Sequence, residues 1–204
     1  MTINKKKFGL AILAVSSIGL ASFLTTGYTS TNSMENNAIP EVSVSANYIA
    51  YETVDRLDSG AELIVVGSAS QEFDDRKHMA TYFEDGTIQD FYTLTDIKVD
   101  KVIKAPEESN ISPGDSLTII EPISYVEDST GIKKITTEDY SELEKDEKNI
   151  IFLQENAYGQ YSVINMELGK FSLETPMTVH SATYEKNSFK AEFRADVIEK
   201  YNLN

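Results

Sequence analysis

Two carboxylates and an imidazole, Asp74, Asp75 and His78, stand in one short stretch and offer the oxygen and nitrogen donors that a divalent metal takes. Their spacing matches no defined metal-binding loop, and the other histidine, His180, lies far along the chain. The chain has no cysteine, which removes disulfides, thiolate nucleophiles and sulfur ligands. The stretch therefore reads as a solvated loop, and no metal or other cofactor is assigned.

Two further kinds of chemistry fare no better. Among 33 acids, some pair will fall at the separation a glycosidase uses, and nothing in the sequence singles one out. Ser129 lies beside Asp128, but there is no G-x-S-x-G, and Asp128, Ser129, Thr130 and Gly131 sit where a hairpin turn is wanted. No catalytic residue is assigned. Aromatics are the remaining candidates, with 11 Tyr, 9 Phe and no Trp. Tyr48, Tyr51, Tyr82, Tyr92, Tyr125, Tyr140 and Tyr158 fall in a helix, in loops or at strand ends. Each alone reads as core or rim. An exposed group of them would stack on sugars or grip a peptide. No individual ligand-binding residue is assigned.

The elements that must position these side chains come after a leader. Lys5, Lys6 and Lys7 precede an apolar stretch, residues 8–24, so residues 1–30 have the anatomy of an export signal or an N-terminal membrane anchor. Gly27 suits cleavage, and no cysteine is present for lipid attachment. Residues 31–42, rich in Ser, Thr and Asn, read as a flexible linker. The formal charge is −15, and removing the leader's three lysines would take it to −18. Such a surface repels phosphate backbones and anionic headgroups, so nucleic acid is excluded as a partner and any membrane attachment rests on the leader.

Residues 43–204 read as a single domain. Residues 43–57 are expected to form a short helix capped by Ser43 or Ser45 and packed across the mouth of the strands after it. Leu63, Ile64, Val65 and Val66 centre a strand over 61–73, buried on both faces, with Gly67 marking a bend. A long polar connection, with a short hairpin near 79–83, leads to the clearest alternation in the chain at 91–104. There Tyr92 and Leu94 oppose the parity of Ile97, Val99 and Ile103, which predicts a bulge near Thr95 and Asp96. Strands are expected again at 116–121, 149–154 and 160–165. A hairpin over 123–135 and a short acidic helix over 137–146 come between the third strand and the fourth. Phe189, Phe193, Val197 and Tyr201 recur every four residues and predict a C-terminal helix.

Three strands, a short helix and two more strands is the order of an OB-type five-stranded barrel, so the fold expected is mainly β. The runs AELIVVG, TLTDIKVDKVIK, PGDSLTII, EKNIIFLQEN and YSVINMELGKF resemble the core and turn pattern of a group of uncharacterised exported proteins of Gram-positive bacteria. The resemblance spans residues 61–171 and implies an OB-like β-barrel and a secreted or envelope location. It carries no catalytic residue over. The chain departs from the group's pattern at Ala105, where the group has Gly, and at Asn149, where it has an aromatic. The expectation is a non-enzymatic exported module that binds an envelope peptide, protein or glycan. The alternative is a carboxylate-based hydrolase of cell-wall polymer.

Overall fold

The computed structural model describes residues 39–128, 130–174 and 184–203. All belong to the second of the chain's two units, 38–204. The leader, residues 31–38 of the linker, Ser129 and His180 lie outside the described residues.

In chain order the elements are β1 (Glu41–Val44), α1 (Val54–Gly60), β2 (Leu63–Ala69), β3 (Lys77–Tyr82), β4 (Ile88–Lys104) and β5 (Ser116–Glu121). Then come β6 (Ile123–Asp128), β7 (Gly131–Thr137), β8 (Asn149–Glu155), β9 (Tyr161–Val163), β10 (Lys170–Ser172) and α2 (Tyr184–Tyr201). Single 3-10 turns, Phe73–Asp75 and Met166–Gly169, precede β3 and β10.

The expected mainly β, OB-like barrel is what forms. β2 pairs antiparallel with β4, and β4 with β5. β5 runs parallel to β9, with Ile119 opposite Tyr161. β9 and then β2 pair antiparallel with β8 and close the five-stranded ring. β3 extends β4 as a hairpin arm, and β6 and β7 form a second sheet with β1 laid parallel on β7.

Alternation along β2 builds two apolar layers at once. Leu63, Val65 and Ala69 join Ile97, Val99, Ile119, Ile151, Leu153 and Val163 inside the barrel. Ile64 and Val66 face the other way and meet Val54 and Leu57 of α1, Ile150 and Phe152 of β8, and Phe193 and Val197 of α2. Each such aliphatic side chain contributes about 1.5–3 kcal/mol on burial. The strand buried on both faces and the C-terminal helix packed on the barrel are both present. α1, however, covers the outside of β2 and β8 rather than the barrel's mouth.

Three local expectations differ. The helix expected over 43–57 begins only at Val54, capped by Thr53, whose side chain accepts the Arg56 N–H at 3.4 Å. Ser43 is not a helix cap, because its Oγ accepts the Asp139 N–H (2.9 Å) while its strand pairs with β7. The short helix expected over 137–146, between the third and fourth barrel strands, is not a helix. Glu138, Asp139 and Asp146 take left-handed φ values of 52°, 57° and 60°. Leu143 gives its N–H to Glu121 and its carbonyl to Arg76, which leaves neither for a helical ladder. The bulge expected at Thr95 and Asp96 is absent there, since β4 keeps register with β5 from Thr93 to Lys98. The register instead shifts against β2, skipping Asp100 and Ile103. Thr93, Thr95, Ile97 and Val99 all point inward, so Tyr92 and Leu94 are simply the outer face.

One of those shifts falls at Gly67, the position expected to bend. A Cβ there would stand 2.6 Å from the Lys98 carbonyl oxygen, too close for any side chain. Gly67→Ala is therefore expected to destabilise the fold by about 1–3 kcal/mol. A lowered urea midpoint at unchanged slope would report it, and an unchanged midpoint would show that the two strands part freely.

Candidate functional site

The strongest polar cluster in the barrel was not visible in the sequence. Arg76, the residue that follows the first 3-10 turn, enters the interior and places Nη1 2.9 Å from Glu121 Oε1, with both side chains fully buried. Its other donors reach the Gln71 carbonyl (2.9 and 3.1 Å) and the Leu143 carbonyl (2.5 Å). Glu121 also accepts from Thr95 Oγ1 (2.5 Å), Tyr140 OH (2.8 Å) and the Leu143 N–H (2.8 Å). Burial and the Glu121 charge push the Tyr140 hydroxyl well above its ordinary range, so it stays a donor. A carboxylate with four donors has no oxygen to spare for substrate. The cluster holds the fold together and is no active site. The signal that would have found Glu121 is its inward parity, two residues after buried Ile119.

Beside it lies the stretch weighed as a metal site. The His78 ring packs edge-on to Phe73 and Tyr125, centroids 4.7 and 4.8 Å away. Nε2 lies 3.0 Å from the Phe73 carbonyl, and that acceptor fixes the hydrogen on Nε2. Nδ1 lies 2.9 Å from Thr93 Oγ1, whose hydroxyl donates to the Ile123 carbonyl (2.6 Å), and faces the Tyr125 N–H at 3.5 Å. Asp74 accepts the Tyr125 hydroxyl at 2.6 Å, and Asp75 is exposed. Among the described residues no three His, Asp or Glu gather as a metal would need. Burial lowers the His78 pKa, opposed by the Phe73 hydrogen bond and Asp74 and helped by Arg76 and Lys134. Tyr125 moves the other way, to about 12, through burial and then Asp74.

The seven tyrosines do not form one surface. Tyr140 is core, Tyr82 bonds the Glu127 carbonyl (3.2 Å), Tyr92 sits on the outer face of β4, and Tyr158 stands alone at 88% exposure. Among the described residues, Tyr48 and Tyr51 share a recess. Tyr48 divides two adjoining clefts of about 150 and 220 Å³, both floored by Asn165 and Met166. Leu168 and Phe189 line the first cleft, and Ile49 and Ile164 the second.

Local structure explains the recess. Buried Asn165 grips the Tyr51 backbone at both ends, its Oδ1 accepting the N–H (2.9 Å) and its Nδ2 donating to the carbonyl (3.0 Å). Asn165 and Met166 hold left-handed φ values of 60° and 49°, and Glu138 on the opposite wall holds 52°. Such conformations cost about 1–3 kcal/mol each and gather at functional sites. At Gly169 a Cβ would lie 1.7 Å from the Ile164 carbonyl oxygen, so only glycine lets the floor fold back on β9. The α2 wall is fixed by Glu167, which binds Lys190, lies 3.6 Å from Lys170 and accepts the Ser141 N–H (2.5 Å) and hydroxyl (2.7 Å). Burial would raise the Glu167 pKa, but the two lysines outweigh it and hold it at about 2. Sequence reading named Tyr48 and Tyr51 as candidates and Phe189 as part of a helical stripe, but not Asn165, Met166 or Glu167, because a left-handed turn without glycine leaves no compositional mark.

No protein-family model matches this chain, and no curated protein does. Among the described residues, no helix is long and apolar enough to cross a membrane.

Two outcomes are expected from this geometry. Arg76→Ala strands a buried carboxylate and is expected to cost about 3–5 kcal/mol, whereas the double change Arg76→Met/Glu121→Leu is expected to recover only part of that loss, because it takes the acceptor from the Thr95 and Tyr140 hydroxyls and the Leu143 N–H. Chemical denaturation of both proteins tests it, and equal losses would contradict it. For His78, the folded pKa lies below the unfolded value of 6.5, so the folded state binds fewer protons. Its contribution is thus present above pH 6.5 and lost as pH falls through the folded pKa. Urea midpoints between pH 7.5 and 5.5 are expected to fall more steeply in the native sequence than in His78→Gln.

Proposed function

We propose that this chain is an exported, non-enzymatic binding module whose Tyr48 recess takes an extended peptide bearing apolar side chains. One observation carries the reading. Tyr48, Ile49 and Phe189 are 42%, 71% and 45% exposed around two adjoining clefts floored by Asn165 and Met166, while the barrel interior is filled with its own side chains. Exposed large apolar groups around a preformed recess mark an interaction surface. Export is supported by the basic and apolar leader and by the resemblance to exported Gram-positive proteins. The hydrolase alternative gains no support: buried Glu121 is saturated, and Glu167 and Asp128 are held below the ordinary carboxylate range. A general acid needs a pKa raised toward neutrality.

The full chain, immobilised and exposed to envelope extract of the producing cell, is expected to retain a peptide or protein partner. Tyr48→Ala/Phe189→Ala is expected to weaken that partner's binding about 30-fold or more, as loss of aromatic anchors does. Unfolding of the variant is expected to shift by about 1–3 kcal/mol, since each ring is more than half covered and Phe189 packs edge-on against Phe193. Cleavage of a wall polymer with no retained partner would sink the reading.

A further inference from the structure

β1 is fastened to β7 almost wholly by backbone. Glu41, Val42 and Ser43 are exposed and Val44 is half-buried, so the strand brings little apolar burial with it. Its register is parallel, Glu41 opposite Lys134 through Val44 opposite Thr137. The ladder continues at both ends, where Lys134 and Glu138 donate their N–H groups to the Pro40 and Val44 carbonyls, each at 2.9 Å.

Two further bonds match this edge to this strand. Ser43 Oγ accepts the Asp139 N–H, and Glu138 Oε1 accepts the Ala46 N–H, both at 2.9 Å. Glu138 and Asp139 are the left-handed pair that ends β7, and β1 supplies acceptors for both their amides. A β7 edge without such a strand would keep the strained turn and lose those acceptors. Beyond β1, residues 45–52 cross with no helix or strand, reaching at most roughly 28 Å when extended. The chain is held again where Asn165 grips Tyr51.

We propose that β1 is an exchangeable strand, which leaves its own β7 and docks in the same register on the β7 of a second copy of this chain. Two copies then interlock through reciprocal β1 strands. In the exchanged pair an identical sequence re-forms every β1–β7 bond and the Ala46 bond to Glu138, and only the path of residues 47–50, before the Tyr51 attachment, changes. A second copy is the fitting occupant because the edge is matched to a serine and a following amide that this chain's own β1 segment carries.

The absence of native cysteine makes the test specific. Full chains bearing Glu41→Cys or Lys134→Cys, one of them isotopically labelled, are mixed in mild detergent at rising concentration. They are joined by a short bis-maleimide, and the linked peptides are weighed. Exchange is expected to give mixed 41–134 links at least tenfold above the two same-site links, growing with concentration. The double variant Glu41→Cys/Lys134→Cys is expected to link within one chain at high dilution and between chains when concentrated. Mixed links at the statistical ratio, or a double variant that links within one chain at every concentration, would overturn the proposal. A double variant that never links would overturn it as well, by removing the register on which it stands.

Discussion

A carboxylate inside an apolar barrel is the constraint on which the rest of this structure depends. Desolvating Glu121 costs several kcal/mol unless its charge is met by a cation and its lone pairs by donors. The residues that meet it come from three places in the chain: the end of the first 3-10 turn at Arg76, β4 at Thr95, and the loop after β7 at Tyr140 and Leu143. Arg76 in turn needs the Gln71 and Leu143 carbonyls. One buried charge thus draws two long connections over the barrel interior, and Phe73, Tyr140 and Leu143 become core as a result. Replacing the pair by apolar residues would remove the charges but leave the Thr95 and Tyr140 hydroxyls and the Leu143 N–H without their acceptor. The constraint it imposes is on which loops go where.

The barrel was legible because alternation and turn residues are local signals. Leu63 to Val66 displayed both faces of β2, and the parity of Ile97 and Val99 set β4. Distant pairings are not written that way. Glu121 looked like the polar end of a strand, and nothing near Arg76 announced a carboxylate on β5. The serines before α1 read as caps until β7 claimed Ser43. The acidic stretch after β7 read as a helix until Glu121 and Arg76 claimed the Leu143 backbone. In each case a long-range hydrogen bond outbid a local propensity of at most about 1–2 kcal/mol. The recess was the least legible part, since its floor depends on left-handed residues that are not glycine.

Residues 39–60 form a peripheral layer attached at three separate places. β1 lies on β7, residues 48–51 lie on the turn after β9, and α1 lies on the outer face of β2 and β8. The first two attachments are mainly polar and the third is apolar. A segment held in this graded way is expected to open locally from its weaker end without disturbing the ring, and both surfaces proposed for association lie toward that end.

The order in which the ring closes has a kinetic consequence. Val65 pairs with Ile151, and Ile119 with Tyr161, so two of the five seams join strands separated by the whole insertion between β5 and β8. Closing such seams costs loop entropy before any burial repays it, which makes folding slow for a chain of this size. A chain made amino end first would hold β2, β4 and β5 as an open meander until β9 arrived. That last strand is three residues long. The smallest element of the barrel is therefore the one that ends the exposure of its largest apolar surface.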